Sequence, residues 1–169
     1  MPQNLELKVR VKSHRRFLTH LKNNNIPFVS QLNQKDIYFA YDKGLLKLRI
    51  ENGKHYLIKY NRNESGKRWS KYQILNLDGD APYDYLKDIL RTETIVEKIR
   101  LLYVYKNTRI HLDKVKQLGY FIELETVLAG NKKDAVREFN FIVELLKLND
   151  EEELRCSYKN LIDSLYDSD

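Results

Sequence analysis

The chain has 169 residues, 30 of them Lys or Arg and 24 Asp or Glu, for a net charge of +6. This is the length of one domain with a real core, and the basicity is too mild for a protein that coats nucleic acid. The single Cys156 excludes an intrachain disulfide framework and a thiolate zinc site, and no window approaches the ~20 apolar residues of a membrane span or a signal-peptide core. The expectation is a soluble, unprocessed, cytoplasmic protein.

Residues 4–12 read as a first strand, followed by a helix capped by Ser13 that turns Phe17, Leu18 and Leu21 to one side and stops at Asn23-Asn24-Asn25. Strands are predicted at 27–41, 45–51, 54–61 and 68–77, with hinges at Asp42-Lys43-Gly44, Asn52-Gly53 and Asn63-Glu64-Ser65-Gly66. Asn52-Gly53 is a two-residue hairpin turn, because both residue types accept positive φ. A short helix over 82–91 starts at Pro82, where the missing N–H costs nothing. Three more strands follow at 94–104, 107–113 and 119–129. A helix over 131–148 carries Ala135, Val136, Phe139, Ile142, Val143 and Leu146 at core spacing. Asp150 opens a last helix with Leu154, Tyr158, Leu161, Ile162 and Leu165 inward, the acids Asp150–Glu153 matching the positive end of its dipole.

The strands keep charge on one parity. Glu6, Lys8 and Arg10; Lys47 and Arg49; Lys98 and Arg100; Arg109, His111 and Asp113; and Glu123 with Glu125 stand on one face, while Leu5, Leu7, Val9, Leu46, Leu48, Ile50, Ile110, Leu112, Ile122 and Leu124 stand on the other. About eight mostly antiparallel strands with an oily back and an ionic front are best accommodated by an α+β fold. It is a closed or nearly closed antiparallel eight-stranded β-barrel, charges lining the lumen and helices packed on the outside. So many enclosed cations require compensation from carboxylates, water or a bound polyanion.

Several pieces carry a family resemblance across nearly the whole chain. Asn4-Leu5-Glu6-Leu7-Lys8 resembles the ExExK signature of the CYTH family, the triphosphate tunnel metalloenzymes. Gln34-Lys35-Asp36-Ile37-Tyr38-Phe39, Leu46-Lys47-Leu48-Arg49, Leu57-Ile58-Lys59, Glu97-Lys98-Ile99-Arg100, Thr108 to Asp113, Leu118 to Glu125 and Ser157-Tyr158 follow in the family's order. The chain is most similar to the prokaryotic class IV adenylyl cyclases of that family, for which a homodimer through an outer helix or strand face is an expected arrangement. It departs from the pattern at Asn4, a neutral amide where the signature has its first acid.

The chemistry of the residues agrees with that resemblance. Lys8, Lys47, Arg49, Lys59, Lys98, Arg100 and Arg109 form a complement for the crowded charge of a triphosphate, Arg by forked contacts and Lys as point charges. Glu6, Asp113, Glu123 and Glu125 offer hard oxygen for Mg²⁺ or Mn²⁺. Glu6, Lys8, Arg109 and Asp113 are the expected catalytic set, with Asn4, Arg10, Asp36 and His111 accessory; Asp36 and Tyr38 read equally well as hydrogen bonders that fix the barrel. Arg62 and Lys12 extend the basic lining or face solvent. The substrate is expected to be ATP, cyclised to cyclic AMP and pyrophosphate, or an inorganic or organic triphosphate that is hydrolysed; a non-catalytic binding module for nucleotide or polyphosphate is the third reading. A membrane or nucleic-acid partner is not expected. The aromatic-basic stretch Lys67–Tyr72 reads as an exposed hairpin, and one of the strand tyrosines Tyr56, Tyr60, Tyr72, Tyr103 and Tyr105 could stack on a base.

Overall fold

The computed structural model describes residues 3–61 and 69–167. The expected turn at Asn63–Gly66, together with Arg62, Lys67 and Arg68, lies outside the described residues. In chain order the elements are β1 (Gln3–Val11), α1 (Arg15–Asn23), β2 (Phe28–Phe39), β3 (Leu45–Glu51), β4 (Lys54–Asn61), β5 (Trp69–Leu77), α2 (Pro82–Ile89), β6 (Thr92–Tyr105), β7 (Thr108–Val115), β8 (Gly119–Val127), α3 (Lys132–Leu145), β9 (Glu152–Leu154) and α4 (Tyr158–Tyr166). The strands run β5-β4-β3-β2-β6-β7-β8-β1-β9, every pairing is antiparallel, and β5 also pairs β1, which closes the first eight into a barrel.

Closure is short. Only Gln3, Asn4 and Leu5 of β1 meet Lys71, Ser70 and Trp69 of β5. Beyond Leu5 the freed edge of β1 is covered by β9, with Lys8 opposite Leu154 and Arg10 opposite Glu152. This corrects the expected helix from Asp150: the backbone groups of β1 need partners, and the Glu152–Leu154 segment supplies them as a strand. The last helix therefore starts later, at Tyr158, with the Ser157 hydroxyl accepting from the Asn160 N–H.

The outward strand faces meet the helices as the alternation requires. Phe17 and Leu21 of α1 and Phe139, Ile142 and Val143 of α3 bury Leu5, Leu7, Val9, Ile110, Leu112, Ile122 and Leu124, while Leu86 of α2 covers Ile37, Phe39 and Leu48. Four helix details differ from expectation. His14, not Ser13, occupies the first cap and makes no side-chain cap hydrogen bond, and Leu18, Val136 and Leu165 are exposed, because each lies on the solvent side of its helix. The Asn52-Gly53 turn holds both residues at positive φ, 47° and 82°, as a tight hairpin between paired Glu51 and Lys54 demands. Gly44 is required by space: a Cβ there would lie 2.0 Å from the Tyr60 carbonyl oxygen.

α4 differs from the other helices. Its Tyr158 and Ile162 pack on Tyr38, Val96, Val115 and Phe121, whose parity is that of the charged face. The helix thus stops one end of the barrel, and the tunnel becomes a cup.

Candidate functional site

The cup is lined in rungs that follow the strand register. On one rung Glu6, Glu125 and Arg109 stand side by side across β1, β8 and β7, and the Arg109 Nη2 lies 2.8 Å from Glu125 Oε2. On the next, Lys8, Glu123 and His111 are neighbours; Lys8 Nζ and His111 Nδ1 lie 3.6 and 3.4 Å from Glu123. Arg10 occupies the following rung, but its guanidinium is drawn toward β9, 3.5 Å from Glu152.

Two fully buried carboxylates hold the cations in place. Asp113 receives both Arg100 Nε and Nη2 at 2.7 Å, and the Tyr158 hydroxyl at 2.8 Å. Asp36 accepts two bonds from Arg49 and one from Lys47, each 2.8 Å, and one from Lys98 at 3.2 Å. Arg100 reaches on to Glu123 at 3.3 Å, so the two acid anchors and the Glu123 rung form one connected array. Tyr158 is its floor: Lys8 Nζ stands 4.0 Å and Lys98 Nζ 5.2 Å from the ring centre.

Burial and neighbours divide the titrations. Burial alone would raise Asp36, yet Arg49, Lys47 and Lys98 hold it well below the ordinary carboxylate range. Burial likewise works against Glu123, and Arg100, His111 and Lys8 override it, so its carboxyl is also held well down. Lys47 is pushed down to about 7, first by burial and then by Arg49, and burial brings Lys98 down to about 8. Three cations around one carboxylate leave the cradle with positive charge to spare, which an incoming anion would relieve.

Most predicted site residues share this cavity: Asn4, Glu6, Lys8, Asp36, Lys47, Arg49, Lys98, Arg100, Arg109, His111, Asp113, Glu123 and Glu125. One assignment needs correction. Lys59 lies opposite Leu46 and Gln73, on the outward parity shared with Leu48 and Leu57, whereas Ile58 and Tyr60 turn inward. Asp113, expected as a metal ligand, here accepts from Arg100 and Tyr158 with its two oxygens and stands apart from the grouped ligand atoms of His111, Glu123 and Glu125. It positions Arg100. Sequence reasoning placed Tyr158 on an inward helix face without a site role; the family-like Ser157-Tyr158 pair was the signal that could have found it.

A hard divalent ion fits what remains. Ligand atoms of His111, Glu123 and Glu125 lie within 4.8 Å of one another, and Glu6 faces Glu125 across the adjoining strand. Asn4 is 2% exposed, and its amide oxygen has no hydrogen-bond partner among the described residues. A buried acceptor left open beside carboxylates is suited to a cation or its bound water.

An eight-stranded cup lined by buried lysines and arginines, with carboxylates on the adjoining rungs, defines an anion-binding barrel of the triphosphate tunnel class. The CYTH domain model matches residues 2–158. The chain belongs to the CYTH family, whose enzymes act on triphosphates with the help of metal ions.

A relative in Methanocaldococcus jannaschii that carries the provisional name adenylate cyclase is 25% identical over 170 residues, covering 93% of this chain and 97% of its own. Among solved structures, a protein of Pyrococcus horikoshii OT3 superposes with a TM-score of 0.81 at 21% identity, over 94% of this chain and 98% of that one. A Hippeastrum protein that carries the provisional name adenylyl cyclase, described as having a dominant triphosphatase activity, superposes with a TM-score of 0.61 at 13% identity, over 86% and 88% of the two chains. Both structures share the fold. Among the described residues, no helix is long and apolar enough to cross a membrane.

Proposed function

We propose that this protein is a metal-dependent enzyme that converts ATP to cyclic AMP and pyrophosphate in the manner of class IV adenylyl cyclases. The observation that carries the reading is the array around Asp36 and Asp113: Lys47, Lys98 and Arg100 are buried, Arg49 is partly buried, and the four are preorganised and in positive excess, with Glu123 on the adjoining rung. A phosphate-binding protein without chemistry gains nothing from Glu6, Glu123 and Glu125 inside its cradle. The resemblance at the ExExK, Thr108–Asp113 and Leu118–Glu125 segments favours the cyclase branch.

In this reading Arg49 and Arg100 are held by their carboxylates at fixed angles, so the phosphate oxygens meet guanidinium donors that need no reorganisation. Lys47 and Lys98 take up charge as the anion enters. Arg109 and Lys8 grip from the rungs nearer the acids. Glu6, Glu123 and Glu125, with His111 and the Asn4 amide, would hold Mg²⁺ or Mn²⁺, which when bound supplies charge neutralisation of the phosphates and acidifies a coordinated hydroxyl. In cyclisation the ribose 3′-oxygen forms a bond to the α-phosphorus, the α–β bridging bond breaks and pyrophosphate leaves.

Hydrolysis of a triphosphate is the second reading, favoured by the shared fold of the Hippeastrum protein with its reported triphosphatase activity. Incubation of the purified chain with ATP and Mg²⁺ or Mn²⁺ decides between them. Cyclic AMP with stoichiometric pyrophosphate is the expected result; orthophosphate would establish hydrolysis, and binding without product would reduce the protein to a nucleotide-binding module.

A further inference from the structure

The donors gathered across β1, β8 and β7 are not all of one kind. Glu123 and Glu125 offer oxygen, Glu6 faces Glu125 from β1, and the third member of the converging set is the imidazole of His111. One of its ring nitrogens lies within 4.8 Å of the ligand atoms of both carboxylates. Register puts it there, because His111 stands directly opposite Glu123. The residue is 4% exposed, so this is a lining group of the cup and not a surface histidine passing close.

An orienting hydrogen bond is the simplest other use for the ring. Nδ1 lies 3.4 Å from Glu123 Oε1, well beyond the ~2.9–3.0 Å at which N–H···O bonds cluster. Glu123 also has Lys8 and Arg100 to hold it, at 3.6 and 3.3 Å, so the imidazole adds little as a third clamp. The same 3.4 Å is an ordinary separation for a nitrogen and an oxygen that share one ion, with bonds of ~2.0–2.2 Å to each.

Charge points the same way. Lys8 and Arg100 flank Glu123, and Arg109 lies 2.8 Å from Glu125, so both carboxylates meet an ion with much of their charge already matched. Asn4, whose amide oxygen is the open acceptor in this region, adds none. Mg²⁺ depends on that charge, since it takes oxygen ligands and gives up its water reluctantly. Divalent transition ions gain from an imidazole, and gain more from Mn²⁺ to Co²⁺.

We infer that these residues form a mixed nitrogen and oxygen site that selects Mn²⁺ and related transition ions over Mg²⁺, with His111 as the selecting ligand. The inference rests on the metal-dependent reading above and adds to it the class of ion and the residue that chooses it.

The test is calorimetric titration of the full chain by Mg²⁺, Mn²⁺ and Co²⁺, together with electron spin-echo spectroscopy of the protein loaded with Mn²⁺. Co²⁺ should bind tighter than Mn²⁺ and Mn²⁺ tighter than Mg²⁺, with at least ~10-fold between the first and the last. The Mn²⁺ echo should be modulated by a directly bonded nitrogen. His14, His20 and His55 belong to no comparable cluster of metal-ligating side chains among the described residues, so that modulation reports His111 and should vanish in His111→Asn. The variant keeps an amide nitrogen near the place of Nδ1 and with it an orienting bond to Glu123. Its Co²⁺ affinity should fall ~10-fold while its Mg²⁺ affinity stays within about twofold of wild type. Equal change for all three ions, or none, would make His111 a positioning residue and overturn the inference. The wild-type order and the nitrogen signal decide the matter even where the variant does not fold. Mg²⁺ binding as tightly as Co²⁺, without nitrogen modulation, overturns the inference and leaves the metal-dependent reading standing on its carboxylates. Failure of all three ions to bind overturns both.

Discussion

Asp36→Asn tests the assembly of the cradle most directly. In the native protein Asp36 is fully buried and, among the described residues, is the one carboxylate bonded to Lys47, Arg49 and Lys98 together. The amide keeps the shape but removes the charge, which leaves three crowded cations facing one another. Breaking a buried ion pair by deleting one partner costs about 3–5 kcal/mol, a large part of the ~5–15 kcal/mol that stabilises a typical domain. The loss should depend on pH. Lys47 and Lys98, already down to about 7 and about 8 with Asp36 present, can shed their protons in alkaline solution, whereas Arg49 cannot. The variant should therefore be most destabilised near pH 6 and recover part of the deficit near pH 9. Excess tripolyphosphate should restore stability at pH 6 by standing in for the missing anion, by about 2.7 kcal/mol at a hundredfold excess over its dissociation constant. Urea unfolding followed by circular dichroism measures each quantity. An unfolding midpoint equal to wild type at both pH values would refute the electrostatic account of the cradle.

Other outcomes follow from the same geometry. Tyr158→Phe keeps the ring beneath Lys8 but removes the hydrogen bond to Asp113, 2.8 Å in the native protein, and should lower unfolding stability by about 2 kcal/mol, as expected for a bond to a charged acceptor. Glu123→Gln should leave a folded protein by circular dichroism while metal affinity, read by Mn²⁺ titration, falls at least ~10-fold with loss of metal-dependent turnover; unchanged turnover would remove Glu123 from the site. Nucleotide binding at pH 8 should take protons up, because the phosphates raise Lys47 and Lys98 from about 7 and about 8 and the nucleotide's own terminal phosphate is already ionised; calorimetry in buffers of different ionisation enthalpy reads the proton count, and net release would contradict the assignment. In acid, Asp113 is the group to follow. Its folded value of about 2 lies below the ordinary 3.8, so its contribution of roughly 2 kcal/mol is present above pH 4 and lost as pH falls toward 2, which acid unfolding of wild type should show as a steep decline over that interval.

Much of the fold was legible because strand alternation is a local property. Leu5, Leu7 and Val9 could be assigned outward and Glu6 and Lys8 inward from spacing alone, and the Asn52-Gly53 turn set the register between β3 and β4. Lys59 shows where that reading broke. It was placed inward as a lysine of the family-like motif, whereas the register carried back from the Asn52-Gly53 turn pairs it with Leu46 and turns it outward. β9 was missed because its segment has only three residues, too few for alternation to declare itself, and its strand character comes from the edge of β1 it satisfies.

The candidate site divides the same way. The inventory of inward charge is written in the order of residues along each strand, since the period of two is a consequence of backbone geometry and needs no knowledge of neighbours. Which carboxylate serves which cation is not. Asp36, Asp113 and Glu123 look alike in the sequence, yet Asp113 anchors Arg100, Asp36 gathers three cations, and Glu123 faces both Lys8 and His111. Those differences arise when strands far apart in the chain close into a barrel and α4 stops one end of it. Direction is a property of a single strand, whereas partnership and burial belong to the closed surface, so only the tertiary structure could distinguish an anchor from a ligand.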